Sequence, residues 1–340
     1  MPQHDQRLQD LSAWLAPQLS ELFARRGWGC VPDAPLVPAS SDASFRRYFR
    51  WEAQGHSFIL MDAPPPQENC RPFVAVASLL ASSGVNVPEI LAEDLDRGFL
   101  LLNDLGRQTY LDVIDETNAD RLFADAIQAL LAFQKLPLPA SLPSYDEALL
   151  RRELQLFPEW YVQRHLGHQF SAAELQVWER TCRLLIDSAL EQPRVLVHRD
   201  YMPRNLMVSE PNPGVLDFQD AVVGPVTYDI TSLFKDAFLS WPEARVQGWL
   251  HGYWDAARAA AIPVHESFDE FQRASDLMGL QRHLKVIGIF ARICHRDGKP
   301  RYLADVPRFF TYIETVTARR PELAELSALL QSLPREQVQP

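Results

Sequence analysis

The chain has 340 residues, 47% hydrophobic and 23% charged, and a formal net charge of −11. That length builds one two-part domain or two domains, and that balance belongs to a folded soluble protein, not a disordered or fibrous one. The acidic excess disfavours nucleic acid and anionic membranes as main partners, while leaving room for a local basic pocket.

Residues 5–26 carry Leu8, Leu11, Leu15, Leu19, Leu22 and Phe23 at helical spacing, and Gly27 closes the helix. Residues 36–62 read as strands. Leu36-Val37 enters a polar turn, Ser40-Ser41-Asp42-Ala43-Ser44; Phe45, Phe49 and Trp51 then alternate with Arg46, Tyr48 and Arg50, and Gln54-Gly55 turns the chain into Phe58–Met61. By that alternation Arg47 shares a face with Phe45 and Phe49, so it is expected to be partly buried and to need an anionic partner. A helix over about Phe73–Ser83 ends at Gly84, and Ile90–Glu93 with Phe99–Asn103 forms a hairpin through Asp96-Arg97-Gly98.

From residue 107 the pattern turns helical. Helices are expected over 118–135 and 145–166, on either side of a proline-rich link at 136–143. Ser171-x-x-Glu174, Ser240-x-x-Glu243 and Ser267-x-x-Glu270 read as capping boxes opening three more helices. Arg282, His283, Lys285 and Arg292 lie on a helix among Leu284, Ile287 and Phe290, which makes it half-buried. A short helix and a polar tail occupy 321–340, and no internal repeat is present. No apolar run is long enough to span a bilayer. The four cysteines, Cys30, Cys70, Cys182 and Cys294, form no CxxC, which suits free thiols in a reducing compartment. The first residues offer no basic or apolar leader, so a cytoplasmic location is expected. His165 and His168 are three apart with acidic residues nearby in sequence, but without a third ligand a zinc site is not expected.

The chemistry concentrates at 194–220. Val195–Val197 is a short apolar strand, followed by His198, Arg199 and Asp200 on a loop, with Asn205 five residues past Asp200. Leu206–Val208 and Val215-Leu216 read as two further strands joined by a proline-containing turn, with Asp217 at the end. Asn205 and Asp217 thus stand at the two ends of one small hairpin. Two oxygen donors are what Mg²⁺ asks of a protein when water and phosphates fill its other positions. Asp200, nearby but separate, can accept a proton. These are the parts for moving a phosphoryl group from a Mg-nucleotide to a hydroxyl. His198 reads as a residue that shapes the loop.

This stretch resembles the catalytic and metal-binding loops of the aminoglycoside-phosphotransferase superfamily, small-molecule relatives of the protein kinases, over about residues 35–310. With residues 45–50, 102–106 and 281–292, the chain is similar to a narrower group, the bacterial anomeric kinases of N-acetylmuramate and N-acetylglucosamine. The resemblance implies an α+β, bilobal, protein-kinase-like fold. Residues 1–101 would form an N-terminal lobe with an antiparallel sheet, 102–106 a hinge, and 107–340 a mainly helical lobe. It also implies a monomeric, ATP- and Mg²⁺-dependent kinase acting at the anomeric C1 hydroxyl of an amino sugar in peptidoglycan recycling. Asp200 would be the base, and Asn205 and Asp217 the metal ligands. Asp229 would brace the catalytic loop. Asn103 and Leu105 would flank adenine. Arg204, Asp220, Lys235, Arg282 and His283 are the residues proposed to face the sugar.

One departure from the superfamily pattern stands out. The third strand reads Ile-Leu-Met-Asp-Ala and carries no lysine for the phosphates, and the next helix carries no glutamate to pair with one. Ser41 and Ser44, with backbone N–H groups, would replace the glycine loop over the phosphates. Arg47 or Arg46 would supply the missing charge, Arg47 being favoured by alternation. Two other readings stay open. An aminoglycoside or choline-type kinase would need an acidic or aromatic pocket, which Asp220, Asp236 and the tryptophans could form. A nucleotide-binding scaffold without catalysis would explain the missing lysine.

Overall fold

In the computed structural model, which describes residues 5–40, 45–65 and 67–334, helix α1 (Gln6–Arg26) opens the chain. Asp5 caps its N-terminus by accepting from the Leu8 N–H, and Gly27 ends it in the left-handed conformation, at φ 69°. Its apolar stripe, Leu11, Trp14, Leu15, Leu19, Leu22 and Phe23, packs on Phe49, Trp51, Phe58, Leu60, Phe99 and Leu101. Those partners belong to a five-stranded antiparallel sheet: β1 (Val37–Ser40), β2 (Arg47–Ala53), β3 (His56–Asp62), β4 (Ile90–Asp94) and β5 (Phe99–Asn103), in the order β1-β2-β3-β5-β4. Helix α2 (Arg71–Ser82) lies between β3 and β4 in sequence. Phe45 is 67% exposed and precedes β2, so the alternation expected to include it begins only at Arg47.

The described residues up to Gln108, with Met207–Asp220, make one compact unit; Thr109–Leu206 with the chain from Ala221 makes the other. The return of 207–220 to the first unit is a nonlocal event. Val215 N–H donates to the Asn86 carbonyl, Val208 N–H to that of Gln108, and Phe218 packs on Phe73.

The second unit is mainly helical: α3 (Tyr110–Val113), α4 (Ala119–Gln134), α5 (Glu147–Leu154), α6 (Ala172–Glu191), α7 (Tyr228–Phe234), α8 (Glu243–Ala259), α9 (Phe268–Asp297), α10 (Val306–Arg319) and α11 (Ala324–Ser332). One antiparallel pair joins Arg194–Val197 to Val222–Pro225. The chain is therefore mixed α+β. Among the described residues no helix is long and apolar enough to cross a membrane.

Two helical expectations need correction. The single helix over 145–166 is α5 followed by a π-helical segment, Phe157–His165. Pro158 has no N–H to continue the ladder, and the chain rewinds with wider bonds such as Leu166 N–H to Tyr161 O, 3.0 Å. Ser240 does not cap α8, which starts after Pro242; its hydroxyl meets Tyr312 and Arg308 instead. Ser171 and Ser267 do cap α6 and α9.

Gly288 lets α9 pass against this rewound segment. A Cβ there would stand 2.4 Å from the carbonyl carbon of Leu156, whereas one at Gly248 on α8 would meet nothing within 4 Å. Gly288→Ala should therefore destabilise the protein by about 1–3 kcal/mol, while Gly248→Ala should stabilise it by about 0.5–1 kcal/mol through helix propensity. Chemical denaturation of both variants checks the pair; shifts of equal sign would refute the close packing.

Candidate active site

The strand Arg194–Val197 runs into His198-Arg199-Asp200, and the turn is fixed by its own backbone. The buried Asp229, on α7, accepts the N–H of His198 at 2.7 Å and of Arg199 at 3.0 Å. Burial pushes the Asp229 carboxyl up to about 7, and these two N–H groups pull it the other way. The N–H of Asp200 donates to Nδ1 of the buried His198, 3.2 Å, so His198 shapes the loop. Past Asp200, a single 3-10 turn, Pro203–Asn205, is closed by Asn205 N–H to Met202 O at 2.8 Å. The Asn205 side-chain Nδ2 donates to the Asp200 carbonyl at 2.9 Å, which presents Oδ1 as its acceptor end.

Arg199 has φ 77°, in the left-handed region that a side chain with a Cβ rarely adopts. Its guanidinium donates to the buried Glu153 at 2.6 Å. Glu153 also takes Lys285 at 3.1 Å, Gln281 at 3.2 Å and the hydroxyl of Tyr145, while Lys285 reaches the Tyr228 hydroxyl at 3.0 Å. Burial alone would raise the Glu153 carboxyl; Lys285 and Arg199 outweigh it and bring it down to about 2. The sequence reading assigned no role to Glu153. Its one signal was a carboxylate among Leu150, Leu154 and Phe157, at a position that helical spacing makes internal.

In the first unit, Asp217 has φ 62° and accepts from Gln219 at 2.8 Å. Arg46 donates through Nε to Glu68 at 2.9 Å, and Glu68 also accepts the Phe45 N–H at 3.2 Å. Burial works against the Arg46 charge, and Glu68, Tyr48 and Asp217 outweigh it, raising its pKa. Arg47 has the anionic partners expected of it. It lies across the strand pair from Asp62, donates to it at 2.9 Å and also holds Asp5; Arg7 binds the same Asp62 at 3.0 Å. Asn103 Oδ1 accepts the Glu89 N–H at 2.7 Å. Its neighbour Asp104 binds Arg50 at 2.6 Å, Ser57 and the Gly106 N–H. Leu105 is half-buried. Ser41 and Ser44 lie outside the described residues.

The residues proposed for the sugar separate into two groups. Lys235, Arg282 and His283 are buried in the second unit. Lys235 stands 3.8 Å from Asp276, Arg282 donates to the Lys235 carbonyl at 3.3 Å, and His283 stacks on Tyr312 with ring centroids 5.0 Å apart. Burial, with Lys235 and Arg282 beside it, drives the His283 imidazole well below its usual value, so it is neutral. Arg204 and Asp220 are exposed, Asp220 in the first unit. Asp236, by contrast, is fully buried.

The phosphotransferase enzyme family matches residues 35–271. The chain belongs to that family. Over 333 residues it is 71% identical to the N-acetylmuramate/N-acetylglucosamine kinase of Pseudomonas putida, covering 98% of both chains. It is 68% identical to the protein of the same description from Pseudomonas aeruginosa, covering 97% of this chain and 98% of the other. The one from Neisseria meningitidis is 46% identical over 88% of this chain and 91% of the other. Among solved structures, a choline kinase from Streptococcus pneumoniae aligns with TM-score 0.60 and 13% identity, covering 88% and 99% of the two chains. An ADP-bound aminoglycoside phosphotransferase aligns with TM-score 0.57 and 15% identity, covering 87% and 97%. The expected kinase-like α+β fold is thereby borne out.

Membership of the phosphotransferase family implies ATP as donor. Asn205 and Asp217 each carry a hard oxygen donor of the kind that suits Mg²⁺, each oriented by a bond to a neighbour.

Glu153 gives this family member a pH signature. A carboxyl lowered from 4.5 to about 2 stabilises the fold fully above pH 4.5, and that contribution is lost as pH falls toward 2. Glu153→Gln strands two buried cations and should cost about 3–5 kcal/mol at neutral pH. The wild type should therefore lose more stability between pH 5 and 2.5 than the variant does. Melting temperatures across that range decide it, and parallel pH curves would reject the ion-pair role.

Proposed function

We propose that the protein transfers the γ-phosphoryl group of ATP to the anomeric C1 hydroxyl of N-acetylmuramate and N-acetylglucosamine, in the recycling of peptidoglycan sugars. The observation that supports this best is the near-complete alignment at 71% identity with a kinase of that description. The braced turn at His198–Arg199, just ahead of the proposed base Asp200, supports the same reading. Asp200 orients the hydroxyl and takes its proton as attack proceeds; an anomeric hydroxyl is acidic enough for a carboxylate to serve. Asn205 and Asp217 would hold Mg²⁺, which when bound neutralises phosphate charge. Backbone groups around Asn103–Leu105 would receive adenine. The protein acts as a cytoplasmic monomer, its substrate a small amino sugar and not nucleic acid. The likeness to choline and aminoglycoside enzymes, at 13–15% identity, supports a shared fold and carries no substrate.

The test offers ATP, Mg²⁺ and, separately, both amino sugars, an aminoglycoside and choline. The expected product is a sugar 1-phosphate, identified by phosphorus–proton coupling at C1. Asp200→Asn should lower kcat by about 10²–10⁴ without a change in melting temperature, and Asp217→Ala should abolish turnover. Phosphorylation of choline or the aminoglycoside alone would overturn the substrate reading, and unchanged kcat in Asp200→Asn would overturn the base.

The missing strand lysine is replaced, in this reading, by Arg46. Asp217 contributes to holding its charge, and its Nε is set by Glu68. Arg46→Ala should raise KM for ATP and lower kcat, together by about 10- to 100-fold, as expected for charge-assisted bonds to phosphate. Arg47→Ala should lower the melting temperature instead, because it removes a partner of Asp5 and Asp62. Steady-state kinetics of the two variants would exclude this assignment if their effects were reversed.

A further inference from the structure

The turn that carries Asp200 and Asn205 also carries an arginine with no ionic partner among the described residues. Arg204 is exposed, and its guanidinium lies over the ring of Phe238, 5.2 Å from the centroid. Among the described residues no hydrogen bond or ion pair uses it. The neighbouring arginines are spoken for. Arg199 is held by Glu153, and Arg282 is buried against the Lys235 carbonyl. Two residues before Phe238, the buried Asp236 accepts the Phe238 N–H through Oδ1, while its Oδ2 has no hydrogen-bond donor. Asp236 feels the Arg204 charge without pairing with it. Arg204 thus rests on an aromatic ring, close enough to the buried Asp236 to act on it, with its own side chain exposed.

We infer that Arg204 is the specificity residue that distinguishes N-acetylmuramate from N-acetylglucosamine by gripping the lactyl carboxylate of the former. The inference rests on the proposed function and deepens it. The acceptor hydroxyl must sit at Asp200 for its proton to be taken. Arg204 lies four residues past Asp200 in the chain, on the 3-10 turn Pro203–Asn205, and in this inference its exposed guanidinium is the group that meets the rest of the sugar. The two sugars differ by an O-lactyl group that brings one negative charge. A planar guanidinium takes a carboxylate through two parallel N–H bonds, and does so more strongly than it takes a neutral hydroxyl. In a chain of net charge −11, an unpaired cation beside the base favours an anionic substrate against the overall field.

The experiment compares KM and kcat for both sugars at saturating ATP in the wild type, Arg204→Gln and Arg204→Lys, with melting curves to confirm folding. In Arg204→Gln, KM for N-acetylmuramate should rise by about 10- to 100-fold, the range for a lost charge-assisted bond, with a much smaller change for N-acetylglucosamine. Lysine restores the charge but not the fork, so Arg204→Lys should recover part of the loss. Equal changes for the two sugars, or none, would overturn the inference while leaving the kinase reading standing. A wild type that phosphorylates neither sugar would reject the kinase reading, and this inference with it.

Discussion

Two buried carboxylates hold the turn that presents Asp200, and they hold different parts of it. Asp229 takes two successive backbone N–H groups, at His198 and Arg199. Glu153 takes the Arg199 side chain. Either alone would leave a degree of freedom. With only Asp229, the Arg199 backbone could relax from its left-handed conformation, which costs about 1–2 kcal/mol. With only Glu153, the side chain would be anchored on a mobile backbone. Glu153 is in turn fixed by Lys285 on α9 and Tyr145 ahead of α5. The position of one aspartate therefore depends on charges from four separated stretches of chain. Lys285 and Arg199 together bring one more positive charge than Glu153 cancels, and both cations interact with Asp200.

The arginines of the first unit divide by the same accounting. Strand β2 and its approach carry Arg46, Arg47 and Arg50, and each meets a different carboxylate: Glu68, Asp62 and Asp104. Arg47 and Arg7 share Asp62, and Arg47 also holds Asp5, the N-cap of α1. This cluster ties the first helix to the sheet and gives Arg47 the anionic partners that alternation on the strand leads one to expect. Arg50 does its work at Asp104, beside the residues proposed for adenine. Arg46 is paired with a glutamate that precedes α2 rather than lying on it, which is why a search of that helix for a carboxylate found none.

What was legible in the sequence was local. The loop at 198–205, the hairpin through Gly98 and the caps at Ser171 and Ser267 each depend on residues within a few positions of one another. What was not legible needed partners far away. Glu68 is 22 residues from Arg46, and Glu153 is 46 from Arg199. The return of 207–220 to the first unit depends on Asn86 and Phe73, which no spacing rule connects to it. Ser240 failed as a cap because its hydroxyl found Tyr312 and Arg308, 72 and 68 residues on. The burial of part of the sugar-facing set was not legible for the same reason. Arg282 and His283 share a helix with apolar neighbours on every side, and α9 turns out to be buried around most of its circumference.

Backbone geometry singles out two turns without using any motif. Among the described residues four that are not glycine have positive φ: Gln54, Arg199, Asp217 and Ala261. Gln54 sits in the tight β2–β3 turn, and Ala261 follows the end of α8. Both are explained by chain reversal. Arg199 and Asp217 have no such excuse, since each adjoins packed, buried residues. Aspartate tolerates this region better than most residues, but Arg199 does not, and it persists only because its side chain is bound at Glu153. Strain of this kind survives where the surroundings over-determine it, and such places are enriched at functional sites. The two unexplained positions are the residue before the proposed base and a proposed metal ligand. A purely conformational criterion thus selects two turns that the sequence pattern also selected, one just before Asp200 and one at Asp217.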